Sequence, residues 1–166
     1  MNKFKIIEAR KEYIETIAEI YIGNWKETYA PLLTNSGIEK LTIDYGMQTW
    51  KDFLKKRYSK INVAKIKGET VGFIATSPDI NINETIYVDS LHVSKKARGL
   101  GVGTLLLKEI LANANSTNQN VSICIIKGND SARRLYMKLR AKHHLDFEDN
   151  INNIITQSEK LLWNFR

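Results

Sequence analysis

The sequence has one cysteine, Cys124, and no long apolar run, and both scarcities limit what it can encode. A single cysteine cannot close a disulfide within the chain, and Cys124 lies in the apolar run VSICII, which indicates a buried strand residue rather than a nucleophile. No apolar segment approaches the roughly 20 residues that span a bilayer. Glu8 and Arg10 interrupt the N-terminus early, which argues against a secretory signal and favours a cytoplasmic protein.

The composition is that of an ordinary globular chain. Hydrophobic residues make up 43% and charged residues 26% of its 166 positions, a length that predicts one domain over residues 1–166. The formal net charge of +7 favours an anionic ligand at the surface. Charge alone leaves nucleic acid, a phosphorylated cofactor and simple solubility open.

Apolar periodicity predicts a mixed α/β (α+β) fold. A central sheet of about six to seven strands with helices on both faces follows from the order of the elements. The second helix is expected to turn Met47, Trp50, Phe53, Leu54 and Tyr58 inward. The predicted elements are a strand at 4–9, a helix from Ile14 to Tyr29, that second helix, strands within 61–78 joined at Lys67-Gly68-Glu69, a strand at 84–93, a helix at 101–113, a strand at 121–127, a helix at 129–141 and two strands in the tail.

The segment SKKARGLGVGTLLLKEI, residues 94–110, places glycines at every second position just before a helical apolar pattern. Glycine has no Cβ to keep a ligand from the backbone and adopts positive φ angles easily. The first N–H groups of a helix have no acceptor within it and carry the positive end of its dipole, so such a site binds phosphate. Lys95, Lys96 and Arg98 add positive charge beside it.

Two nucleotide-binding motifs do not fit this segment. Gly99, Gly101 and Gly103 give G-x-G-x-G, whereas a dinucleotide site needs G-x-G-x-x-G and an acidic residue for the ribose. A Walker loop needs Lys before Ser or Thr, and Gly103-Thr104 lacks that lysine. A plain glycine-rich turn between strand and helix remains an alternative.

The segment from Arg98 to Gly103 resembles the R/Q-x-x-G-x-G/A pattern of the GNAT superfamily of N-acetyltransferases, and VDSLHV resembles the strand before that loop. The resemblance implies that backbone N–H groups hold the pyrophosphate of acetyl-CoA. It also implies strands that splay at the coenzyme A site, where Leu91 and Val93 would bind the pantetheine arm. The implied pyrophosphate-binding residues are Arg98, Gly99, Leu100, Gly101, Val102, Gly103 and Thr104.

A second segment, from Asn129 to Leu139, resembles the family signature N-x-x-A-x-x-x-Y-x-K-x-G. Asn129 and Tyr136 are seven residues apart, which puts them almost on one face of a helix with about 3.6 residues per turn. The resemblance implies that Asn129 binds the pantetheine arm, although capping its own helix is an equal alternative. The chain departs from the signature at Arg140, where the family usually has glycine, so the resemblance does not predict the turn after this helix.

The resemblance also assigns catalytic roles. Tyr136 would donate a proton to the departing thiolate, or it could be an ordinary interior aromatic. Asp89 would be the base for the amine, and a plain surface position is as good an explanation. His92 is expected to be structural.

The acceptor side of the site is also implied by the resemblance. Trp25 and Tyr29, one helical turn apart before Pro31, would wall the acceptor cleft. For Trp25 we favour a core role. His143 and His144 receive no catalytic role.

The function implied is transfer of an acetyl group from acetyl-CoA to a primary amine of a small molecule or peptide, by direct attack in a ternary complex and without a metal. The expected partners are acetyl-CoA and the amine; neither nucleic acid nor a membrane is expected, and a homodimer is left open. The alternatives are a basic nucleic-acid-binding domain and an acyl-CoA sensor without catalysis. The basic residues outside the motif are scattered rather than gathered into a reader motif: Lys51, Lys55, Lys56, Arg57, Lys65 and Lys67.

Overall fold

Seven strands and four α-helices lie in residues 3–32, 38–151 and 154–166, the part of the chain that the computed structural model describes. Among these residues, none of the helices is both long enough and apolar enough to cross a membrane. The strands are β1 Lys5–Glu8, β2 Lys60–Ile66, β3 Glu69–Pro78, β4 Thr85–Val93, β5 Asn120–Ile126, β6 Lys142–Ile151 and β7 Ile154–Trp163. The helices are α1 Ile14–Tyr29, α2 Ile43–Lys55, α3 Val102–Ser116 and α4 Asp130–Lys138.

The strands form one sheet in the order β1-β2-β3-β4-β5-β7-β6. β4 and β5 are parallel, while β1 with β2, β2 with β3, β5 with β7 and β6 with β7 are antiparallel. A parallel pair needs a crossover connection, and α3, which follows the glycine segment, is that crossover. The predicted mixed sheet is therefore confirmed.

The parallel pairing covers only the first part of both strands. Thr85–Val88 pair with Asn120–Ile123, whereas β4 runs on to Val93 and β5 to Ile126. This pairing pattern agrees with the predicted splaying of two strands. The last residues of β4 are therefore held by other elements, which are described below.

The chain divides into two compact units, and the first consists of Met1–Thr76 and Ser90–Leu107. Its core is apolar and comes from α1, α2 and the strands β2 and β3. Burial of each large side chain contributes about 1.5–3 kcal/mol. The core residues are Ile14, Ile17, Ile20, Trp50, Phe53, Ile61, Val63, Phe73 and Ala75.

The second unit, Ser77–Asp89 and Lys108–Arg166, contains a buried ion pair. Lys160 Nζ lies 2.6 Å from Asp79 Oδ2, and Ser122 Oγ donates to the same oxygen at 2.6 Å. Burial alone would raise the pKa of Asp79, but the hydrogen bonds from Lys160 and Ser122 hold it below its ordinary value. The turn before β4 is thereby joined to β5 and β7.

The structure corrects three predicted details. Tyr58 is 72% exposed and lies beyond α2, which ends at Lys55, so it does not face inward. α3 extends to Ser116, beyond the predicted end of this helix at residue 113. α4 stops at Lys138 because the next residues form a left-handed cap.

The predicted hairpin between β2 and β3 is confirmed. Lys67 and Gly68 form its two-residue turn, both with positive φ, and Ile66 pairs with Glu69.

Candidate functional site

The glycine segment forms a left-handed turn that leads directly into α3. Gly99 has φ 78° and Gly101 has φ 85°, which few side-chain-bearing residues adopt. A Cβ built on either glycine would meet no atom within 4 Å. Backbone conformation, rather than lack of space in the fold, therefore explains these two glycines.

Gly103 differs from the other two glycines because its φ is not left-handed. It lies in the first turn of α3, and a Cβ there would be 3.5 Å from Val93 Cγ2, an ordinary contact. Leu105 N–H donates to Gly101 O at 3.0 Å, so the N–H groups just before it lie at the helix N-terminus, where an anion can accept from them. The fold itself would accept alanine at this position.

Among the described residues, two of the cations beside the loop are paired with carboxylates. Arg98 Nη1 donates to Glu27 Oε1 at 2.9 Å, and Lys96 pairs with Glu69. The hydrogen bond from Arg98 lowers the pKa of Glu27. The guanidinium of Arg98 is thus directed to α1, while its backbone remains part of the loop.

The end of β4 is held by β3 and α1. Ser94 N–H donates to Val71 O at 2.8 Å, and Val93 O accepts from Asn24 Nδ2 at 3.0 Å. A Cβ on Gly72 would lie 3.0 Å from His92 O, so β3 approaches β4 closely here. The sequence pattern missed Asn24 and Gly72, although a glycine inside a strand is a signal of close backbone approach.

His92 on β4 lies among aromatic rings. Its ring stacks on Phe73 at 5.5 Å and meets the edge of Tyr21 at 5.5 Å. Burial, with a smaller effect of the positive Arg98, lowers the pKa of His92 to about 4. The imidazole is therefore neutral near pH 7, in agreement with the structural role that the sequence predicted.

Trp25 and Tyr29 on α1 are in contact but differ in burial. Trp25 is 9% exposed, and its ring centroid lies 4.3 Å from that of Tyr29, which is half-buried. Tyr21 adds an edge-on contact to Trp25 at 6.1 Å. The core role favoured for Trp25 agrees with this packing. A cleft role for Tyr29 stays a prediction.

In the second unit, Asn129 is the N-cap residue of α4 but makes no side-chain capping hydrogen bond. Its backbone oxygen accepts from Arg133 N–H at 3.2 Å, as the first carbonyl of a helix does. The structure thus does not support capping as the reason for an asparagine here. Ligand binding by its amide stays a prediction.

Tyr136 is 6% exposed on α4. Its ring meets Trp163 of β7 edge-on at 6.1 Å, and Trp163 Nε1 donates to Leu139 O at 2.9 Å. The tryptophan therefore packs against the tyrosine and also bonds the end of its helix. This packing fixes the ring, which is what either an interior aromatic or a positioned acid requires.

The turn after α4 has a left-handed residue where the family signature has glycine. Arg140 has φ 73°, Arg140 N–H donates to Met137 O at 3.0 Å and Ala141 N–H donates to Tyr136 O at 3.0 Å. These two bonds are those of a Schellman cap. The turn is therefore kept despite the replacement of glycine.

Asp89 is exposed on β4, as both of its predicted roles allow. Burial is the largest cause that raises the pKa of the neighbouring Tyr87, and the negative charge of Asp89 adds to it. Burial also raises the pKa of the Cys124 thiol. A protonated, half-buried thiol agrees with the structural role predicted for Cys124.

A charged cluster in the second unit was not predicted from the sequence. Glu159, which is buried, accepts from Arg133 Nε at 2.8 Å and lies 2.6 Å from His143 Nδ1. Asp146 pairs with Lys127 at 3.0 Å. His143, Asp146 and Glu159 are residue types that bind metals, but both carboxylates here are already paired with cations, so this cluster has the character of a salt-bridge network.

The chain belongs to the acetyltransferase (GNAT) family, whose sequence model matches residues 16–140. An uncharacterized N-acetyltransferase of Methanocaldococcus jannaschii is 38% identical over 102 residues, which cover 54% of this chain. The match spans 61% of that relative's length.

Solved structures show the same fold. An N-acetyltransferase from Staphylococcus aureus Mu50 has a TM-score of 0.74 at 19% identity, covering 98% of this chain and 99% of its own. YncA of Salmonella typhimurium, solved with its cofactor acetyl-CoA, has a TM-score of 0.74 at 17% identity. The match covers 99% of this chain and 95% of YncA. The PaiA N-acetyltransferase of Thermoplasma acidophilum, solved with coenzyme A, has a TM-score of 0.69 at 17% identity. The match covers 94% of this chain and 97% of that protein.

Proposed function

We propose that the protein is an acetyl-CoA-dependent N-acetyltransferase that acts on a primary amine of a small molecule or peptide, by direct attack in a ternary complex. The observation that carries this proposal is the left-handed turn at Gly99 and Gly101, which opens α3 in a chain of the GNAT family. Two solved structures of this fold were obtained with acetyl-CoA or coenzyme A, which supports the same donor here.

The glycine turn has the properties that a diphosphate needs. The backbone from Arg98 to Thr104 would donate N–H groups at the positive end of α3, and the positions of Gly99 and Gly101 have no side chain in the way. Lys95 is exposed beside the turn and adds charge. Leu91 and Val93 at the end of β4 would bind the arm of the coenzyme through their backbone.

When bound, the coenzyme supplies a thioester. The amine nitrogen forms a bond to the acetyl carbon as the carbon–sulfur bond breaks, and the thiolate takes a proton. In the second unit, Tyr136 would give that proton from its phenol oxygen, and Asn129 would bind the coenzyme arm. A phenol has a pKa of about 10 and a thiol one of about 8.5, so the phenol is the weaker acid. It can therefore protonate the sulfur only while the carbon–sulfur bond is breaking and negative charge develops on the sulfur.

The amine must also lose a proton. Asp89 is exposed on β4 and would take that proton directly or through water. An aspartate with an ordinary pKa of about 3.9 is a weak base toward an ammonium group of pKa about 10, so this assignment requires a raised aspartate pKa or a proton relay through water. Tyr29, half-buried on α1, is the proposed wall on the amine side, with Trp25 packed against it.

The first test is calorimetric titration of the protein with acetyl-CoA. Saturable binding at about one site per chain is expected. Salt-sensitive binding of DNA, with no binding of acetyl-CoA, would contradict the proposal and favour the nucleic-acid alternative.

The second test is Tyr136→Phe, assayed with an amine that the wild-type protein acetylates. Loss of a general acid should lower kcat by roughly 100-fold and leave the Kd for acetyl-CoA within about twofold. Tyr58→Phe, at a 72% exposed tyrosine, is the matched control and should change neither value. Unchanged turnover in Tyr136→Phe would remove its acid role; binding of acetyl-CoA without turnover of any amine would favour the sensor alternative.

A further inference from the structure

Asn24 on α1 contacts three parts of the first unit at once. Its amide reaches the carbonyl of Val93, the ring of His92 and the guanidinium of Arg98. We infer that Asn24 is a positioning residue of the coenzyme site, which fixes the end of β4 and the glycine loop against α1. The inference rests on the proposed function.

The orientation of the Asn24 amide follows from its partners. Arg98 Nη2 can only donate, and it lies 2.7 Å from Asn24 Oδ1. Val93 O can only accept, and it lies 3.0 Å from Asn24 Nδ2. Exchange of the oxygen and nitrogen would spoil both bonds, so only one orientation of the amide satisfies its partners.

This orientation determines the tautomer of His92. Asn24 Nδ2 lies 3.2 Å from His92 Nδ1 and is a donor, so Nδ1 must accept and the ring proton lies on Nε2. A neutral ring agrees with the buried position of His92 among Tyr21 and Phe73. Asparagine at position 24 is thus matched to an uncharged histidine.

The peptide group between Val93 and Ser94 is held at both of its polar atoms. Asn24 binds its carbonyl at 3.0 Å, and Val71 O accepts from its N–H at 2.8 Å. This peptide is the last of β4 before the short 3-10 turn Lys95–Ala97 and the glycines. Its direction therefore sets where the loop begins.

Arg98 completes the connection between the loop and α1. Its two terminal nitrogens bind Glu27 and Asn24, which are one helical turn apart and lie on one side of α1. Because the guanidinium is engaged there, anion binding by the loop depends on backbone N–H groups whose positions Asn24 helps to fix. Replacement of Asn24 should therefore weaken the binding of the coenzyme, although the Asn24 side chain itself is not proposed to contact the coenzyme.

The sharpest test is Asn24→Asp, which keeps the size and the acceptor for Arg98 but replaces the donor. A carboxylate oxygen would then face Val93 O and His92 Nδ1, two acceptors, and protonation of the introduced carboxylate or of His92 would relieve the repulsion. The titratable and charged groups around this position are His92 with its ring neighbour Tyr21, Arg98, and Glu27, on which the charge of Lys95 also acts.

We expect Asn24→Asp to bind acetyl-CoA roughly 10-fold more weakly than wild type at pH 8, from the loss of about one buried hydrogen bond, and to recover most of this at pH 5.5. Each variant is compared with wild type at the same pH, so titration of the coenzyme cancels. Thr28→Ala, exposed on α1, is the control and should bind as wild type at both values. Equal weakening at both pH values, or wild-type binding at both, would overturn the inference.

Asn24→Ala and Arg98→Ala provide a second route that does not depend on how well the Asn24→Asp variant folds. Their effects on the Kd of acetyl-CoA should be less than additive, because each breaks the same connection. Additive effects would overturn the inference.

Thermal unfolding of Asn24→Asp, measured without coenzyme at the two pH values, separates the inference from the proposed function. If wild type binds no acetyl-CoA, the proposed function fails. A Tm of Asn24→Asp that approaches wild type on acidification would still support the contacts of Asn24, and a Tm difference independent of pH would contradict them.

Discussion

The glycine loop and the end of α4 both need a left-handed residue, but only the loop uses glycine. Gly101 has φ 85° in the first unit, and Arg140 has φ 73° in the second. For a residue with a side chain, this conformation costs roughly 1–2 kcal/mol. The family signature that the chain resembles has glycine at both places, whereas this chain has glycine at 101 and arginine at 140.

The two turns differ in what they require of the residue with positive φ. At Arg140 two backbone hydrogen bonds close the end of a helix, and they offset the conformational strain of a side chain. At Gly101 the fold leaves open space around the missing Cβ, so a side chain would be tolerated by its neighbours but not by the backbone. We expect the loop to need its glycines for conformation and for ligand approach, and the helix end for conformation alone.

Among changes at these two turns, the largest effect is expected for Gly101→Val. A β-branched residue at φ 85° is a stronger outlier than most, so we expect a distorted loop and at least roughly 30-fold weaker binding of acetyl-CoA, about 2 kcal/mol. Titration calorimetry measures it. Gly101→Asn is the control, because asparagine tolerates the left-handed region, and it should lose clearly less. Equal losses in both variants would show that conformation is not the reason for glycine.

A smaller effect is expected for Gly103→Ala, which separates ligand approach from conformation. The helix should keep or slightly gain stability, because alanine favours helices by up to about 1 kcal/mol over glycine and the new Cβ makes an ordinary contact. Acetyl-CoA binding should nevertheless weaken roughly 10-fold, about 1.4 kcal/mol, since the Cβ stands where the diphosphate would approach.

Gly23→Ala is the matched control for Gly103→Ala. Gly23 is exposed on α1, and a Cβ there meets nothing within 4 Å, so this variant should gain similar helix stability without loss of binding. If Gly103→Ala bound acetyl-CoA as tightly as Gly23→Ala does, the diphosphate would not lie over this turn.

The smallest effect is expected for Arg140→Gly. Restoring glycine should stabilise the fold by about 1 kcal/mol, a rise in Tm of roughly 2–4 °C for a chain of this size. Arg140→Ala keeps the strained conformation and should leave Tm near wild type. Turnover should not change in either variant. A lower Tm for Arg140→Gly would mean that the arginine side chain itself stabilises the turn.

Much of the fold could be predicted because its elements have clear periods. The helix from Ile14 to Tyr29, the hairpin at Lys67-Gly68 and the buried strand β5 were each predicted from local patterns. The prediction for Tyr58 was wrong because this residue continues the helical spacing of α2 after that helix has ended. The backbone is already extended at Lys56 and is left-handed at Tyr58.

Candidate site residues could be proposed from the sequence only where they lie within a single segment. Gly99, Gly101 and Tyr136 belong to local motifs, so their spacing was visible in the sequence. Asn24 was missed because its partners are 68 and more residues away, and no local pattern joins an asparagine on α1 to a carbonyl at the end of β4. Such contacts are set by packing between elements, not by their periods.

The most direct test of the central claim is to follow both products of one reaction. Acetyl-CoA and a panel of primary amines would be incubated with the protein, and free thiol and N-acetylated amine would be measured in the same sample. The proposed function predicts that one amine class gives equal amounts of thiol and acetylated amine, with both nearly lost in Tyr136→Phe. Thiol release without acetylated amine, or no reaction with any amine despite tight binding of acetyl-CoA, would contradict it.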